Sequence, residues 1–218
     1  MSSYPDRTRK DWKARPAVVI APGPSLTQAD VRVIADARAA DRIRVVSVSN
    51  AWKYTTPWAD AYFSGDRRYW MEYFKPMMAA GVPRDRIVTC CNVTAKSERV
   101  LHIRAANRPG LGTYELTTGG NSGWMGFNLA YLFGARRILL LGFDMMRGPN
   151  EESHVDGDHP KRCNVPLHFS HWLKQFNDAA PAIQGKHGVT VINCTRRTAL
   201  KCFPMSTIEA ELAITENA

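Results

Sequence analysis

Four of the six histidines, His154, His159, His168 and His171, fall within eighteen residues and are interleaved with Asp156 and Asp158. Their spacing fits neither H-E-x-x-H nor a zinc-finger pattern, so no metal site is expected from them. An imidazole titrates near neutrality and can take a proton from a hydroxyl, so the cluster offers one histidine as a general base. His168 and His171 stand at i and i+3 at the head of a helical segment, HFSHWLKQFNDAA, and are the favoured pair. A histidine without chemistry is the plain alternative for either. Asp66 and Asp144 each follow a short apolar run that reads as a strand. Carboxylates so placed can share a cation, bind a substrate hydroxyl or merely cap the next helix.

Anion binding is the third chemistry on offer. In Thr117-Thr118-Gly119-Gly120-Asn121-Ser122-Gly123 the glycines let a turn present its N–H groups to the start of an apolar helix. Asn121 or Ser122 can cap that helix. A weaker version follows the run Ala17–Ala21, where Gly23, Pro24 and Ser25 precede a helix opened by Thr27 and Asp30 in a capping box. A lone glycine there is a fainter signal than G-x-G-x-x-G. Asn50 ends the strand-like RIRVVSVS, and its amide could both donate to and accept from a base or ribose, or simply form a turn.

These groups need a scaffold that brings them together, and residues 117–144 supply its centre. Trp124, Phe127, Asn128 and Tyr131 recur at i, i+3, i+4 and i+7, with Met125, Leu129 and Leu132 on a neighbouring stripe, which predicts a largely buried helix. Gly134 is placed to end it. Ile138–Leu141 is an unbroken apolar run, the pattern of a parallel strand covered on both faces, so Gly142 and Asp144 sit at its carboxyl end. Ligands of open α/β sheets bind outside those ends, where the glycine loop and Asp144 would share a crevice. Further strands are expected at 17–21, 42–49, 61–64, 87–91 and 189–194, giving an α/β fold with a largely parallel sheet flanked by helices. Residues 92–116 show no clear period and read as an irregular, mobile connection. The polar stretch at about 145–167 reads as a lid. The expected organisation is a basic flexible arm over 1–16, one nucleotide-binding α/β domain over 17–204, and a short terminal helix and tail over 205–218.

Of the 218 residues 44% are apolar, enough for a sizeable core, and no run approaches the ~20 apolar residues of a membrane span. With no apolar leader and five cysteines lacking a C-x-x-C pair, a cytoplasmic protein with reduced thiols is expected. A net charge of +9 and a pI near 9.5 favour polyanionic partners, or plain solubility. Arg7, Arg9, Lys10, Lys13 and Arg15, with Arg67, Arg68, Arg136 and Arg137 beside strand ends, could hold DNA or an anionic glycan.

As a set, Ala21-Pro22-Gly23-Pro24-Ser25-Leu26, Asn50, Asn121-Ser122-Gly123 and Leu141-Gly142-Phe143-Asp144 resemble bacterial lipooligosaccharide sialyltransferases (the sialyltransferase-42-like group). They are also similar to the related 6-hydroxymethylpterin pyrophosphokinase-like domains. The resemblance spans most of 17–204 on short islands. It implies a Rossmann-like glycosyltransferase that moves a sugar from a nucleotide-sugar donor to a hydroxyl acceptor, with Gly23, Pro24, Ser25, Asn50, Ser122 and Gly123 around the nucleotide. It also implies a histidine base in the late loop, best matched by His168, with His171 as the second choice. Pro22 stands where the sialyltransferases carry an asparagine, which departs from a sialic-acid donor. Magnesium is not expected on that branch. The pyrophosphokinase branch would place Asp66 and Asp144 around magnesium and a nucleoside triphosphate. A nucleic-acid-binding protein without catalysis is the alternative of another class.

Overall fold

The computed structural model describes residues 12, 13, 15–160, 163 and 167–214. Short β-branched and leucine-rich runs form the strands: β1 (Ala17–Ile20), β2 (Arg44–Val48), β3 (Ala61–Ser64), β4 (Ile87–Thr89) and β5 (Leu101–His102). Two-residue strands β6 (Ala105–Ala106) and β7 (Leu116–Thr117) pair apart from the main sheet, and β8 (Arg137–Leu141) and β9 (Thr190–Asn193) complete it. The main sheet has seven strands in the order β5-β4-β3-β2-β1-β8-β9, every pair parallel, with Val19 of β1 level with Val46 of β2 and Leu140 of β8. The chain is an α/β protein with a Rossmann-like architecture.

Alternation along the central strands builds two cores. Val18, Ile20, Leu139 and Leu141 face one side, where they meet α1 (Gln28–Ala39), α3 (Arg67–Ala79) and α7 (Ile208–Ile214) through residues such as Ile34, Trp70 and Leu212. Val19, Val46 and Leu140 face the other, covered by α5 (Ser122–Leu132) and α6 (Phe169–Gln184) through Phe127, Leu129 and Phe176. The short helices α2 (Trp52–Thr55) and α4 (Asn92–Glu98) fill connections at the β5 side. From β1 the chain builds outward to β5 in one direction, and β8 and β9 are added in the other. The carboxyl ends of β1 and β8 therefore flank the topological switch point, where open α/β sheets leave a crevice.

Helix α5 comes close to the sheet because residue 126 is glycine: a Cβ there would lie 2.4 Å from Val48 Cγ2. Its one fully buried polar side chain, Asn128, ties down a connection expected to be irregular and mobile. Asn128 Oδ1 accepts from the Gly112 and Thr117 amides at 3.1 and 2.9 Å, and Nδ2 donates to the Gly112 carbonyl at 2.8 Å. Asn128→Leu keeps the volume but strands three buried backbone groups, at about 1–3 kcal/mol each before relaxation. The expected loss is about 2–4 kcal/mol of stability, measured by urea unfolding, with faster hydrogen exchange at residues 110–117.

Described residues near both ends of the chain pack against the domain. Most of the basic arm lies outside the described residues, but Trp12 is buried with its ring edge-on to Phe133 at 5.1 Å, and Arg15 pairs with Asp41. At the other end the short helix expected within 205–218 forms as α7 and packs on the core, with Ile208 and Leu212 buried and Glu211 paired with Arg137.

Candidate functional site

Two turns close against each other at the switch point. The Ala21 amide donates to the Leu141 carbonyl at 2.8 Å, and the Gly23 amide to the Gly142 carbonyl at 3.0 Å. Gly142 has φ +72°, and a Cβ there would lie 2.0 Å from the Ala21 oxygen. Gly23 has another reason to be glycine: its Cβ would fall 2.0 Å from Asp144 Oδ2 and 2.3 Å from the Gly142 oxygen. Asp144 fits because residue 23 has no side chain. Its Oδ1 accepts from the Ser25 amide at 2.9 Å, its carbonyl accepts from the Ala199 amide at 2.8 Å, and Oδ2 has no partner. Burial at 3% exposure drives the Asp144 carboxyl up from 3.8 to about 6, against the opposing pull of the Ser25 hydrogen bonds and of Arg197. A carboxyl in that range can give or take a proton near neutrality.

Beside these turns the first turn of α5 lines the same cavity. Gly119 and Gly120 adopt φ +52° and +70°, the left-handed conformation glycine allows, and bring the chain into the helix. Asn121 caps it, with Oδ1 accepting from the Trp124 amide at 2.7 Å. The orphan amides of Ser122 and Gly123 belong to that first turn and carry the positive end of the helix dipole. Ser122 Oγ accepts from the Gly65 amide at 3.3 Å, fastening the end of β3 to the same corner. Asp66 caps α3 by accepting from the Arg68 amide at 2.8 Å and is itself exposed at the rim.

The late segment covers the opening. Its anchors reach three separate elements: the Val155 amide donates to the Pro22 carbonyl at 2.9 Å, Asp156 pairs with Lys53 at 2.6 Å, and His159 Nδ1 shares a hydrogen bond of 3.1 Å with the Tyr73 hydroxyl. Beneath it lies a cavity of about 340 Å³ with apolar walls from Phe143, Met145, Phe169 and Trp172. His154 and His159 stand on the wall with ring centroids 4.4 Å apart. Burial first, and the neighbouring His159 second, lower His154 to about 4, and His159 is also lowered, chiefly by burial. Both imidazoles are neutral at pH 7.

The structure brings Asp144, Asp66, Gly120, Asn121, Ser122 and Gly123 onto one cavity wall. Others of the expected residues lie elsewhere. Gly23, Pro24 and Ser25 stand behind the wall, with the Gly23 and Ser25 amides committed to the Gly142 carbonyl and Asp144 rather than open to a phosphate. Asn50 is buried in the 3₁₀ turn Ser49–Ala51 with Oδ1 unpartnered, and Val48 and Ser49 line the cavity in its place. His168 is exposed at the N-cap of α6, and His171 is exposed beside Gly120, where a Cβ would sit 3.3 Å from its ring; neither lines the cavity. The histidines that do are His154 and His159. Ser64 and Tyr69 on the wall had no sequence signal of their own: Ser64 ends an apolar strand, and Tyr69 reads as part of an aromatic helix face.

Among the described wall residues, the two carboxylates of Asp66 and Asp144 are accompanied by no lysine or arginine. Arg67 and Arg68 are exposed beside Asp66, whereas Arg136 and Arg137 lie at the amino end of β8, the opposite edge of the sheet. Arg136 stacks on Tyr131 there at 4.9 Å. The four arginines therefore do not form one basic track. No group of three or more histidine, cysteine, aspartate or glutamate side chains gathers as metal ligands among the described residues. All five cysteines are free thiols, and no described helix is long and apolar enough to cross a membrane. No family model matches this sequence, and a search of curated proteins finds no significant match.

Proposed function

We propose that the protein is a glycosyltransferase that moves a sugar from a nucleotide-activated donor to a hydroxyl acceptor. The observation that supports this most is the buried Asp144 carboxyl, raised to about 6, in the cavity that the first turn of α5 also lines. The donor phosphate rests against the amides of Ser122 and Gly123, where negative charge grows as the nucleotide leaves. The bond from the anomeric carbon to the phosphate oxygen breaks, and its electron pair goes to the phosphate. The acceptor oxygen bonds to that carbon as Asp144 takes its proton. At pH 7 most of Asp144 is ionised, the form a base requires. This moves the base from His168, which is exposed and off the wall, to Asp144, a lining residue whose Oδ2 has no partner in the protein.

Calorimetric titration with nucleotides and nucleotide-sugars, with and without magnesium, followed by transfer assays, tests this reading. Ser122→Asp sets a negative charge where the phosphate would lie and is expected to weaken donor binding roughly tenfold or more. A variant that folds and binds every donor like the wild type would place the phosphate elsewhere. Magnesium-dependent pyrophosphoryl transfer is the second reading, favoured by Asp66 and Asp144 sharing one wall, since magnesium takes one or two carboxylates plus phosphate oxygens. Activity lost to a chelator and restored by magnesium would favour it. For the acceptor, DNA with a hydroxymethylated base and an anionic glycan remain the two proposals. Duplex binding should weaken with salt by about 0.9 log units per tenfold for each phosphate neutralised.

A further inference from the structure

Two residues that line the cavity carry hydroxyls that are buried without an acceptor. Ser64, at the carboxyl end of β3, is 1% exposed, and Tyr69, in α3, is 4% exposed; neither Ser64 Oγ nor Tyr69 O–H finds an acceptor in the protein. The Ser64 backbone is locked, its carbonyl accepting from Trp70 Nε1 at 3.0 Å and Thr89 Oγ1 at 3.1 Å, while its hydroxyl is left over. The Tyr69 hydroxyl lies near the indole N–H of Trp52, which can only donate, so the phenolic proton has no acceptor. Native proteins rarely strand buried hydroxyls, and a cluster of them at a cavity points to a ligand that completes them.

The chemistry of that ligand follows from what surrounds the pair. A protein hydroxyl both donates and accepts, which matches the hydroxyls of a sugar. A carboxylate on the ligand would only accept, and it would sit in a cavity whose described charged groups, Asp66 and Asp144, are both negative. His154 and His159 supply no compensating positive charge at neutral pH, because burial keeps both unprotonated. Resting on the transferase reading, we infer that the transferred group is a neutral, hydroxyl-rich sugar recognised through Ser64 and Tyr69, not an acidic sugar of the sialic or uronic kind. The phosphate, in contrast, has the amides of α5 to meet it.

The test measures binding of nucleoside-diphosphate hexoses, the matching hexuronates and a cytidine-monophosphate-linked sialic acid to the full chain by calorimetry. A neutral hexose donor is expected to bind at least tenfold more tightly than its uronate. Ser64→Ala and Tyr69→Phe are expected to cost that donor about tenfold each and to leave the free nucleotide unchanged. Each removes one oxygen and keeps the shape, and thermal unfolding confirms that the fold is kept. A uronate or sialic-acid donor that binds as tightly as the neutral one overturns the inference and leaves the transferase reading standing. Unchanged hexose-donor affinity in both variants does the same. Failure of every nucleotide-sugar to bind overturns the transferase reading and this inference with it.

Discussion

Asp144→Asn is expected to slow sugar transfer by about two to four orders of magnitude and, at the same time, to make the folded protein more stable at pH 7. The two effects share a cause. Burial raises the carboxyl from 3.8 to about 6, so ionising it in the folded state costs free energy. At ~1.36 kcal/mol per pH unit, that cost at neutral pH is about 3 kcal/mol. The sign follows from the direction of the shift. A carboxyl whose folded value lies above its unfolded value favours the fold fully below about 4, and that contribution is lost as pH rises through about 6. Asn keeps an oxygen for the Ser25 amide and carries no charge, so it should recover most of the difference, roughly 5–10 °C in Tm. His154 has the opposite linkage, since its lowered value makes stability rise with pH between about 4 and 6.5. The quantity to measure is therefore wild type minus variant across pH 4–8, in which the histidine contribution cancels. A variant that is stabilised yet fully active would remove Asp144 from the chemistry. Unaltered stability would mean that the carboxyl is better solvated than its burial implies. The wild-type kcat/KM should fall tenfold per pH unit below about 6.

The parallel sheet was legible because burial on both faces leaves a mark in composition. Ala17–Ile20 and Ile138–Leu141 are unbroken apolar runs, and α5 is apolar over most of its circumference. Asp144 was legible for a related reason: an acid directly after such a strand must lie at the sheet's carboxyl edge. The histidines were not. Which imidazole faces the cavity depends on anchors from Val155 to Pro22, Asp156 to Lys53 and His159 to Tyr73, contacts that span up to 133 positions and impose no period. Arg136 and Arg137 were rightly placed at a strand end, but β8 begins there, so they stand at the edge away from the cavity. Asn128 was hidden by its position on an apolar stripe, where nothing in the spacing separates a polar anchor from another core residue.

Gly23→Ala separates two accounts of the turn after β1. If Gly23 served only to let a phosphate approach, an alanine would leave the ligand-free protein intact and weaken donor binding alone. The packing gives a different expectation. The added methyl would meet Asp144 Oδ2 at 2.0 Å and the Gly142 carbonyl oxygen at 2.3 Å, with no ligand involved. The carboxylate is the end of a side chain and can turn aside, although that would cost the Ser25 hydrogen bond. The carbonyl cannot, because Gly142 is held between Leu141, which accepts from the Ala21 amide, and Phe143, which donates to Thr195 Oγ1 at 2.9 Å. The β1 turn must therefore separate from the β8 turn, breaking the contact from the Gly23 amide to Gly142. A loss above about 3 kcal/mol is expected in the absence of any nucleotide, beyond the ~1–3 kcal/mol usual for an overpacked core. Combining it with Asp144→Ala should restore only part of the stability, since the backbone collision persists, and a double-mutant cycle measures that part. A Gly23→Ala protein with wild-type stability and weakened donor binding would return this glycine to the phosphate.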